Sequence, residues 1–156
     1  MIAKKIKPSI TELAPLIVQS LDSGKDIKLT VTGYSMYPLL RDDTDNVIIE
    51  KSDSFRKYDV VLYKRQNGQY VLHRILCERN GSFVIAGDNE TVKEYPVEHT
   101  DCIGKVKLFE RCRHIFTLHT PWYMLYSRVW VWFFPFRRIM GKVLKLAAKM
   151  YKKLCK

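Results

Sequence analysis

Three side chains in an otherwise strand-like stretch carry the groups that a hydrolytic reaction needs. Ser35 lies in "GYSMYP", His73 in "YVLHRI" and Asp88 in "AGDN". A serine hydroxyl becomes a nucleophile only when a neighbouring base takes its proton, and histidine does this near neutral pH. A carboxylate can then hold the imidazole in the right tautomer and stabilise its protonated form. Residue types alone leave plainer roles open. Ser35 can cap a turn, His73 can be a satisfied core histidine, and Asp88 suits a tight turn before Asn89. His99, His114 and His119 have no motif around them and read as surface or interface residues. No Cys/His set has the spacing of a zinc site, so neither a metal nor a cofactor is expected.

The elements that must position these groups are short strands. "IKLTVTG", "DNVIIEK", "DVVLYKR", "QYVLHRILCE", "SFVIAGD" and "IGKVKLFER" are rich in Val, Ile, Leu and Tyr. Turn formers separate them, including Asn-Gly at 67–68 and 80–81, a strong hairpin signal. Six such strands without intervening helices predict a mainly β fold, a partly closed antiparallel sheet or barrel. Ser35, His73 and Asp88 each fall at or near a strand end. Ahead of the sheet, residues 9–22 have the period of a short amphipathic helix, with Ser9 or Thr11 as cap and Leu13, Leu16, Ile17 and Leu21 on one side. The chain thus divides into an N-terminal helical segment (1–26), a β domain (27–114) and a C-terminal tail (115–156).

Charge singles out the tail. Residues 111–156 hold eleven of the 27 Lys and Arg and no Asp or Glu, whereas the first 110 residues balance 16 bases against 16 acids. Such a tail implies an anionic partner, nucleic acid or membrane. Its composition favours membrane, because "PWYMLYSRVWVWFFPF" packs three Trp, two Tyr and three Phe into sixteen residues. After it, Ile139, Met140, Val143, Leu144, Ala147, Met150, Tyr151 and Leu154 form one helical stripe with bases opposite. Residues 122–156 therefore read as an anchor lying in the membrane plane. A single span over residues 115–136, and packing of 122–136 on the domain, are the competing readings. The N-terminus is interrupted by Glu12 and two prolines and reads as neither signal peptide nor membrane span. Cys77, Cys102, Cys112 and Cys155 form no CxxC pair and are expected as free thiols, with a Cys77–Cys102 or Cys102–Cys112 disulfide left open.

Taken together, G-x-S-M-x-P, D-V-V, H-R-I, G-D-N and I-G-K-V occur in the order found in signal peptidase I. Over residues 30–106 the chain resembles that family of serine proteases. Specifically, it resembles the branch of archaea, the endoplasmic reticulum and some Gram-positive bacteria, which uses histidine where the commoner bacterial enzymes use lysine. The resemblance implies Ser35 as nucleophile, His73 as general base and Asp88 as the carboxylate supporting it. It implies a substrate pocket at Gly33, Tyr34, Met36 and Pro38, with the Ser35 backbone N–H as oxyanion donor; the position from which some relatives offer a second donor is Gly33 here, and the neighbouring Thr32 is a candidate outside that pattern. Two positions depart from the pattern. Tyr58 stands where the family has glycine in G-D-V-V, which implies a differently shaped turn. Glu94 stands where branch members often carry a second aspartate, and keeps a carboxylate on a longer arm.

The resemblance therefore implies a membrane-associated serine endopeptidase that removes a leader or signal-type peptide. Its partners are a peptide or preprotein and a membrane surface, with no nucleic acid. The alternatives are a regulator akin to the self-cleaving repressors, which share the protease fold but use lysine as base, and an inactive membrane-bound relative that binds peptides.

Overall fold

A computed structural model describes residues 9–137. Helix α1 (Ile10–Asp22) begins where the sequence places a cap: the Ser9 hydroxyl accepts from the Glu12 N–H, and the Glu12 side chain accepts from the Ser9 N–H. This reciprocal pair satisfies two of the amides that a helix start leaves open. Ala14, Ile17 and Leu21 face the core, while Leu16, expected there, is 63% exposed. The smaller Ala14 takes the inward position.

Eight antiparallel strands follow: β1 (Ile27–Thr30), β2 (Asn46–Lys51), β3 (Val60–Lys64), β4 (Tyr70–Arg79), β5 (Ser82–Ala86), β6 (Glu94–Val97), β7 (Cys102–Arg111) and β8 (His114–Thr117). Their order is β1-β2-β7-β3-β4-β5-β6, with β8 added to β7. The path runs from β1 to β6 and does not close, so the sheet is open rather than a barrel. The six expected strands are present. The two additional ones are weak in sequence for physical reasons. Pro96 sits in β6, and proline is tolerated there because β6 is an edge strand. β8 has only four residues, all exposed, which is too short a run to show an alternating pattern.

Central strands are buried on both sides and read as unbroken apolar runs. Along β3, Val60 and Leu62 join a core with Ile17, Leu21, Met36, Val47, Ile49 and Val106. Val61 and Tyr63 join a second core with Ile75, Phe83, Ile85 and Val97. His73 pairs with Val61 and Arg74 with Val60, so these consecutive residues leave β4 on opposite faces. The tight turn between β4 and β5 is Asn80-Gly81, both at positive φ, as a primed hairpin turn requires.

Tyr58 overturns the expectation of a reshaped turn. Its φ is 82°, the left-handed region that glycine enters readily. The turn keeps the shape glycine would give it, with a tyrosine carrying the strain. Its N–H donates to Ile75 O at 2.9 Å and its carbonyl accepts from Arg74 Nη1 at 2.9 Å, and both bonds hold the backbone there.

The aromatic segment forms helix α2 (Pro121–Trp132), capped by Thr120 with proline at its start. One face packs on the domain, burying Tyr123 and Ser127, and Phe134 beyond it joins Leu76, Val84 and Ala86. The other face exposes Trp122 (78%), Leu125, Val129 and Trp132 (69%). No helix among the described residues is long and apolar enough to cross a membrane. Cys77, Cys102 and Cys112 are free, and burial pushes the Cys102 thiol up to about 12, with Asp101 adding to the effect. The amphipathic stretch from Ile139 to Leu154, and Cys155, lie outside the described residues.

Candidate active site

Ser35 sits in a loop of turns between β1 and β2, entered through Gly33 at a φ of 86°. The Gly33 N–H donates to Asp42 Oδ1 at 2.8 Å, and Leu40 N–H donates to Met36 O at 2.9 Å. Met36 is buried beneath the loop, which ties the serine's position to the core. From the far side, the Asn89 N–H donates to the Ser35 carbonyl at 2.7 Å. The loop after β5 thereby reaches the serine turn directly.

His73 comes from mid-β4 and is 2% exposed. Its Nδ1 lies 3.2 Å from Glu94 Oε1 and 3.3 Å from the Tyr63 hydroxyl. Its other nitrogen faces Gly87. The point where a Cβ on Gly87 would sit is 3.1 Å from His73 Nε2 and 2.5 Å from the Ser35 carbonyl oxygen. Histidine and serine turn therefore converge on one residue that has no side chain. Any side chain at 87 would enter the space between them.

The carboxylate beside the histidine is Glu94, at the start of β6, not Asp88. Arg65 fixes it with a two-pronged ion pair, Nε to Oε2 at 2.8 Å and Nη2 to Oε1. Burial opposes ionisation of Glu94. Hydrogen bonds from His73, Arg65 and Tyr63 outweigh that and hold the carboxyl well below the usual carboxylate range. Burial, reinforced by Glu94, raises the Tyr63 hydroxyl, which stays protonated and available as a donor. Tyr63 was not legible as a site residue; its place two residues from Val61, on the face of β3 that carries His73, is the signal for it.

Asp88 has a different partner. Its two oxygens accept from Arg74 Nε at 2.8 Å and Nη2 at 2.7 Å, and it is 1% exposed. A guanidinium buried on an apolar strand requires a carboxylate, and Asp88 supplies it to Arg74. Asp88, expected to support the base, pairs with Arg74 here, and the carboxylate in contact with His73 is Glu94. Of the expected pocket residues, Gly33 and Met36 line a cleft of about 220 Å³ beside Ser35, with Leu29, Val31, Thr32 and Leu72. Tyr34 points to solvent at 66% exposure, and Pro38 lines a separate groove with Leu39, Phe109 and Trp122. Among the described residues no cluster of His, Cys, Asp and Glu is arranged to hold a metal ion.

The depressed Glu94 carboxyl makes a pH prediction. Its folded value lies below the unfolded one of about 4.3. Its stabilising contribution is therefore complete above the unfolded value and lost as pH falls toward the folded one. Urea unfolding of wild type and Glu94→Gln should show the full stability gap at about pH 6 and a narrower gap below about pH 4. A gap that stays constant down to about pH 3 would mean that Glu94 is not held as an anion.

No curated protein matches the chain. A family model described as Peptidase S24-like matches residues 5–107, a stretch that includes Ser35, His73, Arg74, Asp88 and Glu94. The match extends over more than half of the sequence and coincides with the strands that build the site. The chain belongs to the Peptidase S24-like family, with the fold of a serine-type peptidase.

Proposed function

We propose that the protein is a serine endopeptidase that cleaves a leader or signal-type peptide, with Ser35 as nucleophile, His73 as base and Glu94 as supporting carboxylate. The orientation of His73 carries this reading. With its Nδ1–H given to Glu94, the lone pair on Nε2 faces the Gly87 gap that the serine turn borders. In this reaction Ser35 Oγ attacks the scissile carbonyl as Nε2 takes its proton. Nε2 then gives that proton to the departing amine, and water hydrolyses the acyl-enzyme by the same exchange. The Ser35 N–H is the oxyanion donor, and Thr32, which lines the same cleft, is the candidate for the second.

The substrate binds as an added strand. β1 ends the sheet, and the chain continues from it through Val31 and Thr32 to Ser35. An extended peptide laid along this edge places alternate side chains in the apolar cleft. The membrane surface is the second partner, engaged by Trp122, Leu125, Val129 and Trp132 on the outer face of α2 and by the cationic tail.

A phosphonofluoridate probe tests the chemistry directly. The expected adduct maps to the peptide containing Ser35 and disappears in Ser35→Ala. Labelling elsewhere, or none, would sink the serine-peptidase reading.

A further inference from the structure

We infer that Arg137 and Trp130 are positioning residues of the catalytic centre, holding the 87–89 loop against Ser35 from outside the sheet. The inference rests on the Ser35/His73 reading and concerns residues beyond the stretch that defines the family.

Two consecutive carbonyls of the loop are gripped from the α2 side. Trp130 Nε1 donates to Asp88 O at 3.1 Å. Arg137 Nη1 donates to Asp88 O at 2.7 Å and Gly87 O at 3.3 Å, and its Nη2 donates to Trp130 O at 2.8 Å. The Arg137 guanidinium lies 4.6 Å from the Trp130 ring centre and 5.0 Å from that of Phe134. The residue is only 9% exposed, and its Nε has no partner among the described residues. Burying a guanidinium while leaving one N–H unsatisfied is costly, and the remaining donors go to main-chain oxygens rather than to a carboxylate.

Those oxygens belong to the residues that meet the catalytic pair. Gly87 is the residue on which Ser35 O and His73 Nε2 converge, and the amide two residues on, of Asn89, donates to Ser35 O at 2.7 Å. Gly87 offers no side chain with which the loop could anchor itself. Within the loop Glu90 N–H donates to Gly87 O at 3.0 Å and Arg74 holds the Asp88 side chain, while α2 and the residues just after it supply the bonds to Asp88 O. Tyr126 reinforces the attachment by donating to Asp88 Oδ2 at 3.3 Å. A shift of about 1 Å in reacting groups can cost about 10²-fold in rate. Loss of the brace should therefore register in turnover rather than in substrate affinity.

The test uses the full chain with Arg137→Gln, Trp130→Phe and the conservative Arg137→Lys. Trp130→Phe retains a ring and removes only the N–H. Hydrogen exchange at the Asn89 amide reads the loop independently of catalysis. Exchange there should rise about 10-fold or more in Arg137→Gln and Trp130→Phe, while the Ile85 amide in β5 keeps its protection. On a cleavable peptide, kcat should fall by about 10- to 10²-fold with KM nearly unchanged, and Arg137→Lys should recover most of it. Unchanged Asn89 exchange in both variants overturns the inference, as does increased exchange with unaltered kcat. A wild-type protein that cleaves nothing, with the rise at Asn89 still present in the variants, overturns the Ser35/His73 reading and leaves the brace standing.

Discussion

With Ser35 and His73 as the proposed dyad, Ser35→Ala and His73→Ala should each lower kcat/KM for a leader-type peptide by about 10⁴-fold or more at neutral pH, and the double variant should be no worse than either. The non-additivity follows from the mechanism, because a hydroxyl without its base and a base without its hydroxyl are equally idle. Both variants should fold. Ser35 is half-exposed in a loop whose anchors are main-chain bonds and Met36, and neither is removed by the substitution. His73 is buried, and alanine leaves a cavity beside Val61 and Tyr63. Circular dichroism and a denaturation curve must therefore accompany its kinetics. Glu94→Gln should lie between wild type and these variants, losing about 10²- to 10⁴-fold, since the amide retains an acceptor but can also present its NH₂ to Nδ1. Full activity in His73→Ala at neutral pH would remove the dyad. Full activity in Glu94→Gln would leave the dyad and remove its support.

Asp88→Ala is a stability variant before it is a catalytic one. Arg74 has no exposed surface and Asp88 has 1%, and they meet through two parallel hydrogen bonds. Burial disfavours the Arg74 charge, and Asp88 and Tyr123 offset that, holding the guanidinium above its ordinary value. Nη1 also donates to Tyr58 O at 2.9 Å, Tyr123 Oη at 2.9 Å and Ser127 Oγ at 3.0 Å. Removing one member of such a pair strands a buried charge and costs about 3–5 kcal/mol. In a chain of this size that lowers Tm by about 10 °C or more. Replacing both partners with apolar residues, Arg74→Met with Asp88→Leu, should recover much of the loss, because the desolvation penalty disappears along with the attraction. Thermal unfolding and urea titration of the single and double variants measure this. If Asp88→Ala kept wild-type stability and lost only activity, Asp88 would belong to the chemistry and Glu94 would not replace it.

The strand runs and the serine and histidine boxes were legible because each depends on local pattern. A buried strand must be apolar, and a nucleophile needs a turn whose residues announce it. The six strong strands and the helix from Ser9 follow from such signals, whereas His73, expected at or near a strand end, lies within β4. The pairing of Asp88 with Arg74 rather than His73 was not legible, because sequence order does not say which face of β4 a carboxylate will meet. Arg74, the adjacent residue, competed for it and won on burial. Glu94 was visible as a carboxylate near the right place, but its contact with His73 depends on β6, a strand disguised by Pro96. The aromatic density of 121–136 signalled burial and exposure at once. Tyr123, Ser127 and Phe134 go inward while Trp122 and Trp132 go outward, and no composition rule separates them. The carbonyl contacts of Trp130 and Arg137 were illegible because their targets are main-chain atoms, which leave no trace in residue type.

His73 and Arg74, adjacent on β4, leave it toward different duties. One step along a strand is about 3.3 Å, and it inverts every side chain. The β3–β4 hairpin turn sets that step, closing through Arg65 N–H to Gln69 O at 2.8 Å with Gly68 at a φ of 84°. A chain one residue longer or shorter there would present a guanidinium to Glu94 and an imidazole to Asp88. Each group would still find a carboxylate as hydrogen-bond acceptor, so the interior would stay satisfied while no base faced the serine turn. For this fold, length is a catalytic property: the count of residues in an exposed turn decides whether the strand delivers a proton acceptor or a permanent cation.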